Sequence, residues 1–366
     1  MTQVFLYDTT LRDGTQREDI SLSVDDKLTI AKRLSEFGIH YIEGGWPGSN
    51  PKDAEFFARA GRMNLGATKL AAFGSTRHKH TLCEEDANLR ALLEANTPAV
   101  TLVGKSWDYH VSHVLDTTPE ENLAMIRDSV AWMKAQGREV FFDAEHFYDG
   151  FLANPEFALA TLRAAAEAGA DWLVLCETNG GKLPWQVEEI TRDVASRFST
   201  RLGVHCHNDS GCGVANSLSA VRGGCALVQG TINGYGERVG NADLVSIIPN
   251  LQLKMGYEAV GTERLRELTG LSRFVAEVAN LKHDDHHPYT GHSAFAHKGG
   301  IHVAAILKAS DTYQHIEPEL VGNERRSVIS ELSGRGNILF MAQSLGLDVD
   351  REDAQKVLGQ IKHMEH

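Results

Sequence analysis

Two rhythms of apolar positions alternate along this chain. Short apolar runs, each closed by glycine or polar residues, are separated by longer stretches in which apolar residues recur every three or four positions. The first rhythm predicts buried strands and the second amphipathic helices. The predicted strands are Val4–Tyr7, Tyr41–Glu43, Lys69–Phe73, Ala99–Val103, Glu139–Phe142, Trp172–Leu175, Gly203–Cys206 and Leu227–Thr231. Helical stripes run through Leu28, Ala31, Leu34 and Phe37, through Leu123, Ile126, Val130 and Met133, and through Val187, Ile190, Val194 and Phe198. The punctuation agrees. Ser23 to Asp26 reads as a capping-box start, Asn154-Pro155 as an N-cap followed by proline, and Gly38 and Gly137 as helix stops.

Eight strands separated by helices over about 250 residues predict an α/β fold, the TIM (β/α)8 barrel. A doubly wound open sheet is the alternative, but no Gly-x-Gly-x-x-Gly follows the first strand. Past residue 260 the alternation stops. Helices are predicted at Leu265–Asn280, Val303–Lys308, Ile329–Leu345 and Asp353–His363, around an irregular histidine-rich stretch from His283 to His292. The expected organisation is a catalytic barrel over residues 1–260 and a helical linker subdomain over 261–366. Barrel chemistry sits where strands end. Here those ends carry Asp8–Gln16, Glu43, Gly104-Lys-Ser-Trp107, Asp143-Ala-Glu-His146, Cys176-Glu-Thr-Asn179, His205–Asp209 and Asn233–Asn241.

The sharpest of these is Leu202-Gly-Val-His-Cys-His-Asn-Asp209. Alternate side chains on a strand share a face, so His205 and His207 point together and Cys206 points away. At about 7 Å apart, two such imidazoles can tilt onto one divalent ion. An isolated His-x-His is more often a pair of surface or core histidines; its strand-end setting is what favours the metal.

Composition narrows the partners. Lys and Arg total 36 against 49 Asp and Glu, a net charge of −13. That argues against nucleic acid or an anionic membrane as the main partner. No apolar run reaches the length of a membrane span, and the first residues do not read as a signal peptide. Five cysteines without framework spacing suit reduced thiols and a cytoplasmic setting.

Asp8-Thr-Thr-Leu-Arg-Asp-Gly-Thr-Gln16, Tyr41-Ile-Glu-Gly-Gly-Trp-Pro-Gly48, Asp143-Ala-Glu-His146, Glu177-Thr-Asn-Gly-Gly181, His205-Cys-His-Asn-Asp209, Gly234-Tyr-Gly-Glu-Arg-Val-Gly-Asn241 and His297-Lys-Gly-Gly-Ile-His302 form an ordered set. Together they resemble the acetyl-CoA-dependent 2-alkylmalate synthases, the family of isopropylmalate, homocitrate and citramalate synthases. Gly45-Trp-Pro-Gly-Ser-Asn-Pro-Lys52, Gly104-Lys-Ser-Trp107 and Gly230-Thr-Ile-Asn-Gly234 are most similar to the citramalate branch.

The resemblance implies a Claisen condensation of acetyl-CoA with a 2-oxo acid, pyruvate first, giving citramalate and CoA in isoleucine biosynthesis. It implies Asp13, His205 and His207 as ligands of a divalent cation (Mn²⁺, Mg²⁺, Zn²⁺ or Co²⁺), with Asn241 in or near the shell. Arg12 and Thr178 would hold the oxo acid, with Gln16 close by. Glu145 would orient the base or bind substrate. Abstracting a proton from the acetyl methyl suits a histidine titrating near neutrality; the family draws it from the segment after the barrel, so His302 is favoured and His297 is second. That segment reaches a neighbouring subunit, which implies a homodimer. The family's C-terminal effector-binding domain does not follow in this sequence, so the resemblance carries no assumption of feedback inhibition. Three alternatives remain: a synthase for a larger oxo acid, a lyase of the hydroxymethylglutaryl-CoA type, and a non-catalytic binding protein.

Overall fold

The computed structural model describes residues 2–297, 300–306, 308–309, 312–328 and 334–364. Eight parallel strands close into a barrel in chain order: β1 Phe5–Asp8, β2 Tyr41–Gly45, β3 Lys69–Ser75, β4 Ala99–Lys105, β5 Glu139–Glu145, β6 Trp172–Glu177, β7 Arg201–Cys206 and β8 Leu227–Gly230. β8 closes the ring on β1, pairing Phe5 with Leu227 and Asp8 with Gly230. Strands β3 to β6 run further than the apolar pattern predicts, into Ser75, Lys105, Glu145 and Glu177. Polar residues continue the ladder there because they face the barrel mouth, where a hydrophobicity rule marks an ending.

The interior is filled by Tyr7, Tyr41, Phe141, Trp172, Val174 and Leu227 among others. Phe141 and Trp172 stack with ring centroids 5.8 Å apart. Glu139 closes the floor: it accepts from Tyr41 Oη at 2.8 Å, Trp172 Nε1 at 3.3 Å and Lys69 Nζ at 2.6 Å. Outside, the helix Val24–Phe37 carries the expected Ser23–Asp26 capping box and ends on Gly38 in a left-handed conformation. Asn154 caps Pro155–Glu167 through Phe157 N. Ala31, Leu34 and Phe37 of the first stripe are buried as expected, whereas Leu28 is only half-buried and its neighbour Lys27 is buried. Lys27 is buried because it ion-pairs with Asp53 and donates to Gly44 O.

Packing divides the chain into Met1–Gly261 with Phe274–Leu281, and Thr262–Arg273 with Lys282–His366. In the second unit a two-residue strand, Ala296–His297, pairs in parallel with Arg326–Ser327. Its described helices include Gly300–Ile306, Arg335–Ser344 and Arg351–Met364, the last two joined by Ile338, Ala354 and Leu358. The helix predicted from Ile329 begins at Arg335; Ile329 to Ser333 lie outside the described residues. The predicted helix Leu265–Asn280 is broken into Thr262–Leu265 and Leu268–Val278. The histidine-rich stretch is irregular. Among the described residues, no helix is long and apolar enough to cross a membrane.

Candidate functional site

The loop after β1 is pinned before it reaches the mouth. Thr10 donates to the buried Asp8 carboxylate through both its N–H and its hydroxyl, at 3.0 and 2.8 Å. The same hydroxyl accepts from Ile232 N at 2.9 Å. Burial pushes the Asp8 carboxyl up to about 7 against the pull of these hydrogen bonds. The folded protein thus keeps a proton that the unfolded chain releases near pH 3.9, so stability falls as pH rises between the two values, by about 1.4 kcal/mol per unit. Asp8→Asn removes this titration. In urea unfolding across a pH series, wild type should lose stability relative to the variant from about pH 4 to 7, with a flat difference outside that window.

The pinned loop presents Arg12 and Asp13. The Arg12 guanidinium donates from Nε to Glu43 Oε1 at 2.6 Å, lies 3.0 Å from Asp13 Oδ1 through Nη1, and stacks on Phe73 at 3.8 Å. Its Nη2 makes no hydrogen bond among the described residues, which leaves donors facing the mouth. Glu43 is held in turn by Tyr7 Oη at 2.7 Å, beside a 2.5 Å contact from Tyr7 to Thr101. The β2–β3 register slips between Glu43 and Gly45, the kind of irregularity that re-aims a side chain.

Asp13, His205 and His207 meet at one point. Among the described residues they form the one group of three His, Cys, Asp or Glu side chains whose ligand atoms all lie within 4.8 Å of each other. His205 Nε2 is 3.3 Å from His207 Nε2 and 3.3 Å from Asp13 Oδ2. Cys206 points the other way and is buried, as strand alternation requires. Burial works against charge on Asp13, yet Arg12 and His205 overcome it and hold the carboxyl well below its usual range. Burial and then the neighbouring His205 push His207 down to about 3, so it stays a neutral donor. Burial also works against charge on His205, but Asp13 outweighs it and raises the imidazole.

A carboxylate and two imidazoles converging on one gap form a set that suits a first-row divalent cation or Mg²⁺. Two buried polar atoms beside it, His207 Nδ1 and Asn241 Oδ1, have no hydrogen-bond partner. Asn241 presents its amide nitrogen to the cluster, donating to Asp13 Oδ2 at 2.9 Å. It is carried there by the glycine loop after β8, which is stitched to the end of β7 by Ala242 N to Cys206 O at 2.8 Å and Asn208 N to Gly240 O at 3.0 Å. Gly240 has φ +100°, and a Cβ there would lie 2.0 Å from Gly234 O. Only glycine fits that turn.

A cavity of about 540 Å³ opens over this point. Arg12, Asp13, Gln16, Glu145, Thr178, His205 and His207, all singled out in the sequence, line it. Thr178 Oγ1 accepts from His146 N at 2.8 Å, which leaves its O–H to donate. Glu145 is ion-paired with Lys105. His297 and His302 belong to the second unit. His302 is exposed and stacks on Tyr313 at 4.2 Å; His297 is half-buried, its Nε2 has no partner, and burial lowers its pKa. Trp46 lines the cavity, whereas Trp107 stacks on His110 at 5.3 Å.

Sequence reasoning passed over Gln229 and the contribution of Asp143, which joins Gln229 to β5. A lone polar residue in the apolar run of β8 was the available signal for the first.

The chain matches the HMGL-like family over residues 3–274 and the homocitrate synthase post-HMGL domain-like family over residues 289–366. It is 54% identical over 374 residues to (R)-citramalate synthase of Synechocystis sp., spanning 100% of this chain and 68% of the relative. It is 53% identical over 366 residues to (R)-citramalate synthase of Aquifex aeolicus, spanning 99% and 69%. The solved hydroxymethylglutaryl-CoA lyase of Pseudomonas aeruginosa shares the fold, with a TM-score of 0.65 at 20% identity over 84% of this chain and 99% of that one. On barrel, strand-end residues and sequence alike, the chain belongs to the HMGL-like family, in the group of the (R)-citramalate synthases.

Proposed function

We infer that this chain is an acyltransferase that condenses acetyl-CoA with pyruvate to give citramalate and free CoA. The observation that carries the reading is the buried Asp13–His205–His207 cluster at the base of a cavity that Arg12 also lines. Relatives 53–54% identical to this chain that are named (R)-citramalate synthase support it.

Asp13, His205 and His207 would hold a divalent cation, Mn²⁺, Mg²⁺, Zn²⁺ or Co²⁺, with Asn241 steadying Asp13. Such a cation supplies Lewis acidity toward a ketone oxygen. The protein's own groups do the rest. Arg12, through its unengaged Nη2, and the Thr178 hydroxyl bind the oxo-acid carboxylate and the charge that develops on oxygen; Gln16 lies beside them. His302 takes a proton from the acetyl methyl, and Glu145 orients the base or binds substrate. The C–H electron pair becomes the new C–C bond to the ketone carbon, and the ketone oxygen ends as a hydroxyl. Water then splits the thioester and releases the CoA thiol. His297 is the second choice of base, favoured by its unpartnered Nε2. The reading includes a homodimer, a cytoplasmic setting and a place in isoleucine biosynthesis.

Thiol release from acetyl-CoA with Mn²⁺ and a panel of 2-oxo acids tests this. Pyruvate should give the highest kcat/KM, with about tenfold or more lost for each methylene added. A maximum at a branched-chain or longer oxo acid would move the substrate within the family. No acceleration over background by any oxo acid would remove the synthase reading, and cleavage of hydroxymethylglutaryl-CoA would replace it with a lyase.

A further inference from the structure

β8 carries a single polar side chain, Gln229, which is fully buried. Its amide is engaged at both ends. Nε2 donates to Asp143 Oδ1 on β5 at 3.0 Å, and Oε1 lies 2.8 Å from His205 Nδ1 on β7. These two contacts determine one another. As a carboxylate Asp143 can only accept, so the NH₂ end of Gln229 must face it and the amide oxygen must face the imidazole. A neutral His205 then carries its proton on Nδ1 and its lone pair on Nε2. Nε2 is the atom that faces Asp13 and His207, each 3.3 Å away. With the amide reversed, two acceptors would oppose each other at Asp143, and the NH₂ group would select the opposite tautomer. A hydrogen would then stand where a ligand needs its lone pair.

We propose that Gln229 is a positioning residue that, clamped by Asp143, locks His205 in its Nδ1–H tautomer and so presets the Nε2 lone pair for the cation. The proposal rests on Asp13, His205 and His207 being a cation site. Its role differs from filling space, because leucine fills nearly the same volume without an acceptor.

The test uses the full chain at pH 8, above the value of about 7 to which burial and Glu43 raise Asp143. In metal-free protein labelled with ¹⁵N-histidine, long-range ¹H–¹⁵N spectra should give His205 a protonated Nδ1, whatever proton Nε2 shares with Asp13. In Gln229→Leu that fixed pattern should be lost, and Mn²⁺ affinity should fall about 10- to 100-fold. Gln229→Glu alone sets two carboxylates against each other. Combined with Asp143→Asn it restores the order, an acceptor toward His205 and a donor from position 143, and should recover most of the lost Mn²⁺ affinity. A Gln229→Leu protein with wild-type tautomer and wild-type Mn²⁺ affinity overturns the proposal, as does a double variant no better than the leucine variant. If wild type and His207→Ala bind Mn²⁺ alike, the cation site itself fails. The tautomer spectrum needs no metal, so the two failures are distinguishable.

Discussion

His207→Ala should abolish turnover while leaving the barrel folded. This imidazole is buried and neutral, its pKa pushed down to about 3, so removing it strands no charge and opens only a small polar hole. What is lost is a ligand atom 3.3 Å from His205 Nε2. Lewis-acid assistance to a carbonyl is worth several kcal/mol, so kcat/KM should fall by about three orders of magnitude. Wild-type protein stripped with chelator should show a comparable loss and recover on adding Mn²⁺; the variant should not recover. Thermal unfolding of metal-free samples should differ little between the two. Full turnover by the chelator-treated variant would disconnect the cluster from the reaction.

Arg12→Leu should damage both stability and catalysis, and Arg12→Lys separates the two. Leucine leaves Glu43 (side chain 0% exposed) and Asp13 (4% exposed) buried without their cation. Breaking one partner of a buried pair costs about 3–5 kcal/mol, a fall in Tm on the order of 10 °C for a domain of this size. Lysine keeps the charge but not the planar fork, and cannot serve Glu43, Asp13 and a substrate oxygen together. Most of the stability should return, while KM for the oxo acid rises about tenfold or more, as expected for a lost hydrogen bond to a charged group. Calorimetry and steady-state kinetics on the two variants read these effects separately. A lysine variant with unchanged KM would confine Arg12 to holding Asp13 and Glu43.

Strand number, order and rough position were legible because each strand is an apolar run between glycine or polar stops. The pairing of His205 with His207 was legible because a period of two on a strand fixes which side chains share a face; Asp13 joined them only through the resemblance to the 2-alkylmalate synthases. Other features were hidden for physical reasons. Polar continuations such as Asp143 to Glu145 look like loop to a hydrophobicity rule, although the ladder runs through them. Lys27 reads as surface because nothing local announces Asp53, 26 residues away. The link from Asp143 through Gln229 to His205 joins three strands and exists only once the barrel has closed. Asn241 was placed near the metal by resemblance; the structure adds that its amide grips Asp13.

The ring closes where β8 meets β1, and the cluster straddles that seam: Asp13 follows β1, while His205 and His207 stand at the end of β7. A nascent chain exposes the carboxylate long before either imidazole is synthesised. Tight capture of an ion there would have to wait for β7, and its binding would pull those two parts of the sequence together. A cation held by these three side chains would act as a late clasp in folding, taken up only once β7 has been made.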